Sequence, residues 1–250
     1  MTQTVYDYMA IPEKCLLNKP LFKKLFQEHA DLDITDKKAL KDDIDKIRWV
    51  YTLKPSTLNI EPYRDDVREY DEIAIIQIDL TSAARAQRIA AFVNKAIPYP
   101  VVIIFSFADT MALSVADKRI NQADKSKWVI EDAWMTAWFN PDAPNEAQQK
   151  FMQDMTIKSL SFVNFYAFYT DIKNRIIALN TADRSGSYTL TSGDGMINRA
   201  DSLRQLDRLE QEKAELQNKL AKEKQMGRQV EMTTRIKKMA DQINGLKERL

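Results

Sequence analysis

The sequence predicts an α+β fold, a mixed sheet covered by helices, followed by a C-terminal coiled coil or helical hairpin. Three observations lead there. Segments with helical and extended spacing follow one another in the order α-α-β-β-α-β-β-β, without the regular βαβ alternation of a doubly wound sheet. No glycine precedes Gly186, so the Gly-rich switch-point loop that such sheets use is missing as well. From Leu206 onward, apolar residues recur at intervals of three and four, which is the seam of a coiled coil.

Taken in order, Lys19 to Ala30 and Asp36 to Val50 have helical spacing, with Phe22, Leu25 and Phe26 lining the first and Leu40, Ile44 and Ile47 the second. Asp36 is placed to cap the second helix. Tyr51 to Ile60 reads as extended. Tyr70 to Leu80 reads as a strand buried on both faces, because Ile73, Ile75, Ile76 and Ile78 leave little polar surface. Thr81 or Ser82 then caps a helix over Ala83 to Ala96, which stops before Pro98. Val101 to Phe107 turns at Ala108-Asp109 into Met111 to Val115 as a hairpin. With no glycine at that point, a longer type I loop is expected in preference to a tight two-residue turn. A last strand spans Lys127 to Phe139. Asn145 to Leu179 carries Phe151, Met155, Phe162, Phe165, Tyr166, Tyr169, Ile172 and Ile176 at mostly three- and four-residue spacing. That pattern makes a helical cover for the sheet, split near Ser159 or Ser161.

All eight prolines lie at or before Pro144, and the stretch from Asp183 to Ile197 holds three of the five glycines. These shifts divide the chain into a globular domain over 1–182, a flexible joint over 183–198 and a coiled-coil arm over 199–250. In the arm, Leu206, Leu209, Leu216 and Leu220 form one apolar run, with Lys213 at a core position. Met232, Ile236, Met239, Ile243, Leu246 and Leu250 form a second. The two runs do not share a register: extending the first puts Gly227 on the seam, whereas the second puts Gln229 there. Two accounts fit. One is a continuous helix of about 75 Å with a local defect, at ~1.5 Å per residue. The other is a hairpin turning near Lys224 to Arg228, with Gly227 stopping its first helix. Either stripe must bury against a copy, a partner or the opposing helix, so these ten residues are the candidate interaction site.

Composition narrows the function. Apolar residues make up 44% of 250, enough for a core, and a formal charge of +1 predicts no strong global attraction to nucleic acid or anionic membrane. With no early glycine, a Walker loop, a dinucleotide fingerprint and a Gly-x-Ser-x-Gly elbow are unavailable to the N-terminal region. His29 and Cys15 are single, which leaves little for histidine catalysis or zinc. No apolar signal-peptide core or membrane-length stretch is present, so a cytoplasmic protein without cofactor or metal is expected.

The remaining chemical candidates are Asp71, Glu72, Asp79, Asp109 and Asp117 near strand ends, the tryptophans Trp128, Trp134 and Trp138, and a basic loop of Lys118, Arg119, Lys125 and Lys127. A restriction-type nuclease needs an acid followed by acid-x-lysine to hold a divalent ion. Here Asp117-Lys118 lacks the spacer and Asp79 is followed by Leu80-Thr81, so ordinary strand-end carboxylates are expected. The tryptophans share parity with Ile130 and are read as one face, core under a helix in preference to a base-stacking row. The basic loop reads as a solvated face, with phosphate contact as the sharper alternative. His29 reads as a surface or capping residue and Cys15 as packed.

The runs Leu53-Lys54-Pro55-Ser56-Thr57-Leu58-Asn59-Ile60, Asp71-Glu72-Ile73 and Lys95-Ala96-Ile97-Pro98-Tyr99-Pro100 resemble a bacterial and archaeal family catalogued as domain of unknown function four-three-nine-one. Lys224 to Met232 is similar to its C-terminal pattern, departing at Met226-Gly227 where Phe-Asn is expected. The similarity covers nearly the whole chain and brings no catalytic motif. It implies a companion of helicases and DNA methyltransferases in restriction-like phage-defence loci. The expected function is therefore a non-catalytic accessory or adaptor subunit of such a complex. Protein partners would be a helicase or methyltransferase, self-association through the arm is a further option, and direct nucleic-acid contact is weakly supported. The alternative is a divergent metal-dependent nuclease of the same system, and a third reading is a DNA-binding module around Lys118.

Overall fold

The computed structural model describes residues 5–125, 127–191 and 193–250. In chain order the elements are α1 (Val5–Met9), β1 (Leu16–Pro20), α2 (Lys23–His29), α3 (Ile34–Asp42), β2 (Ile44–Leu53), α4 (Pro55–Leu58), β3 (Tyr63–Arg64), β4 (Glu69–Tyr70) and β5 (Ile73–Leu80). They continue with α5 (Ala86–Ala96), β6 (Val101–Phe107), β7 (Thr110–Ile120), β8 (Trp128–Met135), α6 (Glu146–Asp154), α7 (Phe165–Ser185), α8 (Asp194–Leu220) and α9 (Met226–Lys247). The chain divides into two compact units, Met1–Ile176 and Ile177–Leu250. Helix α7 runs through that division, and the expected joint over 183–198 is helical at both of its ends.

The fold is α+β, as its element order requires. In the first unit a six-stranded sheet has the order β1-β2-β5-β6-β7-β8, with a separate β3-β4 pair. Among the described strands, only β5 and β6 run parallel in the larger sheet; the other neighbours are antiparallel. Helix α5 makes the crossover between the parallel strands and buries Ile89, Phe92 and Val93. One core joins Phe26, Leu40, Ile44, Ile47, Ile76, Ile78, Phe92, Ile103 and Phe105, with α2, α3 and α5 on that side of the sheet. The opposite parity of the same strands, Ile73, Ile75, Val102, Leu113 and Val115, is equally buried. On that side Tyr169 of α7 fixes its hydroxyl to the edges of β6 and β7. It donates to Val101 O at 2.9 Å and accepts from Ala116 N at 2.9 Å.

The helix expected over Asp36 to Val50 is two elements. Helix α3 starts at Ile34, with Asp33 at the N-cap and Asp36 completing a reciprocal capping box three residues later. It ends at Asp42, and the chain continues as β2. The cause of the misreading is a bulge. Ile44 pairs with Leu80 and Lys46 with Asp79, which leaves Asp45 as an extra residue. Ile44 and Ile47 therefore both turn into the core although they are three apart, which imitates helical spacing. Tyr51 to Ile60 is likewise only partly extended, since α4 occupies Pro55–Leu58.

Several smaller expectations change as well. Phe22 is 74% exposed and does not join Phe26 in the core. Helix α5 begins at Ala86 without a side-chain cap. Thr81 instead ties β5 to the end of α3, its hydroxyl donating to Asp42 O at 2.7 Å. The β6-β7 connection is the tight two-residue turn after all. Phe107 pairs with Thr110, and Ala108 takes φ +50° without being glycine.

Candidate functional site

Helices α8 and α9 settle the topology of the arm. They pack on each other as a helical hairpin, so the two apolar runs need no common register. Leu206, Ile243 and Leu246 form its buried cluster, with Leu209 and Leu250 packed against it. Leu216 is buried too, and Leu220, Met232, Ile236 and Met239 are half-buried. The structure therefore brings the candidate interaction residues onto facing helices, with every fully covered position at or before Leu216 in α8 and at or after Ile243 in α9. Leu206 is 0% exposed and Leu216 9%, and Leu220 beyond them is only half-buried.

Within this second unit the closed end of the hairpin has a third layer, the last turns of α7. Arg184 pairs with Asp207 at 3.0 Å and Glu210 at 2.9 Å, and Lys247 reaches the same Glu210 at 3.0 Å. Burial raises the Glu210 pKa, but Lys247 and Arg184 outweigh it and hold the carboxyl below its ordinary value. The ion pairs join α7, α8 and α9 at one point.

The turn itself lies at Ala221 to Gln225, and Gly227 does not stop the first helix. It sits inside the first turn of α9, with open space where a Cβ would stand. The turn is organised by Glu223, which no spacing rule had singled out. Its Oε1 accepts from Lys224 N at 2.8 Å and Gln225 N at 2.9 Å, and Gln229 Nε2 donates to its carbonyl at 2.8 Å. The Gln225 backbone bond, then that of Lys224 and the Arg228 charge, lower the Glu223 pKa against the opposing effect of burial. A carboxylate at the start of α9 also meets the positive end of the helix dipole.

In the first unit the acidic candidates lie apart. Asp71 is paired with Arg64, and Glu72 with Lys54 at 3.6 Å. Asp117 pairs with Lys173 of α7 at 2.5 Å. Val115 of β7 lies opposite Val102, near the amino end of β6, and Asp117 is two residues further toward that end. Asp79 lies at the carboxyl end of β5, opposite Ser106. The two carboxylates thus sit near opposite ends of the strands, about 20 Å apart at ~3.3 Å per residue. One ion cannot be shared between them. Among the described residues no group of three or more His, Cys, Asp or Glu is placed to hold a metal.

Asp79 instead belongs to a polar network at the carboxyl ends of the parallel pair. Tyr6 Oη donates to Gln77 Oε1 at 2.6 Å, which turns the amide so that Nε2 donates to Asp79 Oδ1 at 3.0 Å and Ser106 Oγ at 3.1 Å. Ser106 Oγ donates in turn to Asp79 Oδ1 at 2.6 Å, and Arg48 Nη2 stands 3.8 Å from Oδ2. Burial, with Tyr51 and Asp79 close by, raises the Tyr6 pKa, so its hydroxyl stays a donor. Tyr6, Gln77, Ser106 and Arg48 line a cleft of about 440 Å³ whose other walls include Val50, Ile104, Phe105 and Met111. The sequence signal for it is a change along one face: Ile73 and Ile75 give way to Gln77 and Asp79, and Val102 and Ile104 to Ser106.

The basic loop does not form a patch. Lys118 is buried, its Nζ donating to Ile97 O at 2.7 Å and Tyr99 O at 2.8 Å, just beyond the end of α5. Burial lowers its pKa to about 7. A neutral amine has two N–H donors, which these two carbonyls satisfy. Arg119 pairs with Glu131 at 3.0 Å and Lys127 with Asp124 at 2.9 Å.

The tryptophans do not share a face. Trp128 pairs with Ile120 and Trp134 with Val115, five residues apart, because Glu131 is the extra residue of a bulge. Trp134 is buried, and its Nε1 donates to Asp132 Oδ2 at 2.6 Å. Trp138 lies past the strand and packs on Phe105 and Phe107 at 6.4 and 6.3 Å between ring centroids. His29 is an exposed helix-end residue and Cys15 is buried. No described helix is long and apolar enough to cross a membrane.

A family model described as "Domain of unknown function (DUF4391)" matches residues 9–243. No curated protein and no solved structure matches the chain.

Proposed function

The chain belongs to the DUF4391 family, and from that premise we propose that it is a non-catalytic accessory subunit of a bacterial restriction-like defence complex, assembled through its C-terminal hairpin. The observation that carries this reading is the uneven cover of the seam. Two helices can each bury only the stripe that faces the other. Where the α7 tail, α8 and α9 are tied together by Arg184, Glu210 and Lys247, Leu206, Ile243 and Leu246 are buried, with Leu209 and Leu250 half-buried against them. Toward the turn, Leu220, Met232, Ile236 and Met239 stay half-buried. A third helical surface laid there completes the burial, which is how an amphipathic hairpin docks into a bundle. The family resemblance supports the class of partner, a helicase or DNA methyltransferase.

Size exclusion with light scattering tests it on the full chain and on a 1–198 chain, each alone and mixed with the helicase or methyltransferase proposed as its partner. The full chain enters the complex and the shortened one, still folded by circular dichroism, does not. A folded 1–198 chain that joins the complex contradicts the reading.

A further inference from the structure

We propose that the cleft at the carboxyl ends of β5 and β6 binds a small organic cation, an ammonium or guanidinium head on an apolar body. This site belongs to the first unit and stands independently of the hairpin's role.

Its location is the first reason. Among the described strands β5 and β6 are the parallel pair, joined by the α5 crossover, and crevices outside the carboxyl ends of such strands are where open α/β sheets hold ligands. The second reason is the composition of the face. It is wholly apolar at the amino ends and becomes Gln77, Asp79 and Ser106 at the carboxyl ends. A hydrogen-bonded network in that position costs stability relative to the aliphatic residues that precede it. Tyr6, Gln77 and Ser106 are held rigidly by it at the inner wall, where aliphatic side chains would otherwise meet. The volume, about 440 Å³, falls in the range of small-molecule sites.

The charge and the walls indicate the ligand. Asp109 and Asp142 line the cleft with Arg48, and Asp79 lies directly behind it in contact with Gln77 and Ser106. Three carboxylates against one guanidinium leave a local charge of −2. The ring of Tyr6 and the apolar Val50, Ile104 and Met111 suit an apolar body, and the Tyr6 ring adds cation–π attraction. Arg48 is the resident cation. It is 48% exposed and 3.8 Å from Asp79, a loose pair that a bound ammonium can replace.

The test titrates phenethylamine, its neutral counterpart 2-phenylethanol and the acid phenylacetate into the full chain. Backbone amide shifts at Ser106, Ala108 and Thr110 are followed by NMR. The amine binds at least about tenfold more tightly than the alcohol, the worth of one charge-assisted hydrogen bond, and the acid does not bind. Asp109→Asn combined with Asp142→Asn weakens the amine, and both side chains are exposed, so the fold is retained. Arg48→Gln strengthens it by removing the competing charge. An N-acetyl-phenylalanyl-arginine amide arm separates a partner's basic side chain from a free amine as the source, and tighter binding of either one supports the site. Amine and alcohol binding equally, acid binding preferred, an Arg48→Gln chain that loses the amine, or no shift at millimolar amine and peptide each overturns the proposal.

Discussion

Leu206→Ala is the perturbation whose cost follows most directly from the closed hairpin. Leu206 is fully buried among Ile243, Leu246, Leu209 and Leu250. Truncation removes three carbon atoms, about 2.4 kcal/mol of transfer free energy at ~0.8 kcal/mol per methylene. The void left behind raises the loss to about 3–4 kcal/mol. Met232→Ala, on the half-covered stretch, removes a side chain that still touches water and costs about 1 kcal/mol. Native-state hydrogen exchange on the full chain reads both. A loss of 3 kcal/mol lowers protection of α8 and α9 amides by about a hundredfold, and 1 kcal/mol by about fivefold. Equal effects of the two substitutions, or unchanged protection in Leu206→Ala, would refute a seam closed on itself at that end.

Two substitutions of opposite kind are expected to stabilise. Gly227→Ala adds a methyl to the first turn of α9 with nothing within 4 Å and raises the stability of the hairpin by about 0.5–1 kcal/mol; a loss would mean that the glycine is needed for the bend. Ala108→Gly relieves a φ of +50° in the β6-β7 turn and raises the urea midpoint of the first unit by the equivalent of about 1 kcal/mol; no change would mean that the turn is unstrained. Lys118 gives a pH signature. Its folded pKa, about 7, lies below the ordinary lysine value, so the unfolded chain binds the extra proton between them. This contribution to stability is therefore greatest above the unfolded value and falls away as pH drops toward 7, at most about 1.4 kcal/mol per pH unit. Urea unfolding at pH 7 and 9 should show wild type gaining about 2 kcal/mol or more relative to Lys118→Met on going up in pH; a constant difference would show that the buried amine stays charged.

What the sequence disclosed, and what it hid, follows from the range of the interactions. The α+β class, β5, the β6-β7 hairpin and most of the helical cover are carried by local periodicity; Phe162, placed by its spacing on the apolar face of that cover, is instead 45% exposed between α6 and α7. The boundary between α3 and β2 was hidden by the bulge at Asp45, and the orientation of the tryptophans by the bulge at Glu131. An inserted residue reverses parity without marking the sequence. The two mismatched registers of the arm did contain the hairpin, but its turn depends on Glu223, whose bonds to Lys224 and Gln225 are local and have no fixed motif. The network of Tyr6, Gln77, Asp79 and Ser106 was only half legible. Asp79 stood out as a strand-end acid, whereas Tyr6 lies 71 residues from the Gln77 it orients. Lys118 looked like part of a basic loop, because nothing nearby in sequence announces the Ile97 and Tyr99 carbonyls that receive it.

The most direct measurement uses the complete chain carrying Ile236→Asp and Met239→Asp, two half-buried seam positions toward the turn of α9. Its mass in solution is followed by light scattering with the proposed helicase or methyltransferase partner present. A monomer that keeps its helix content yet no longer enters the complex is the predicted result. A doubly substituted chain that co-elutes with its partner as wild type does would place the assembly surface elsewhere on the molecule.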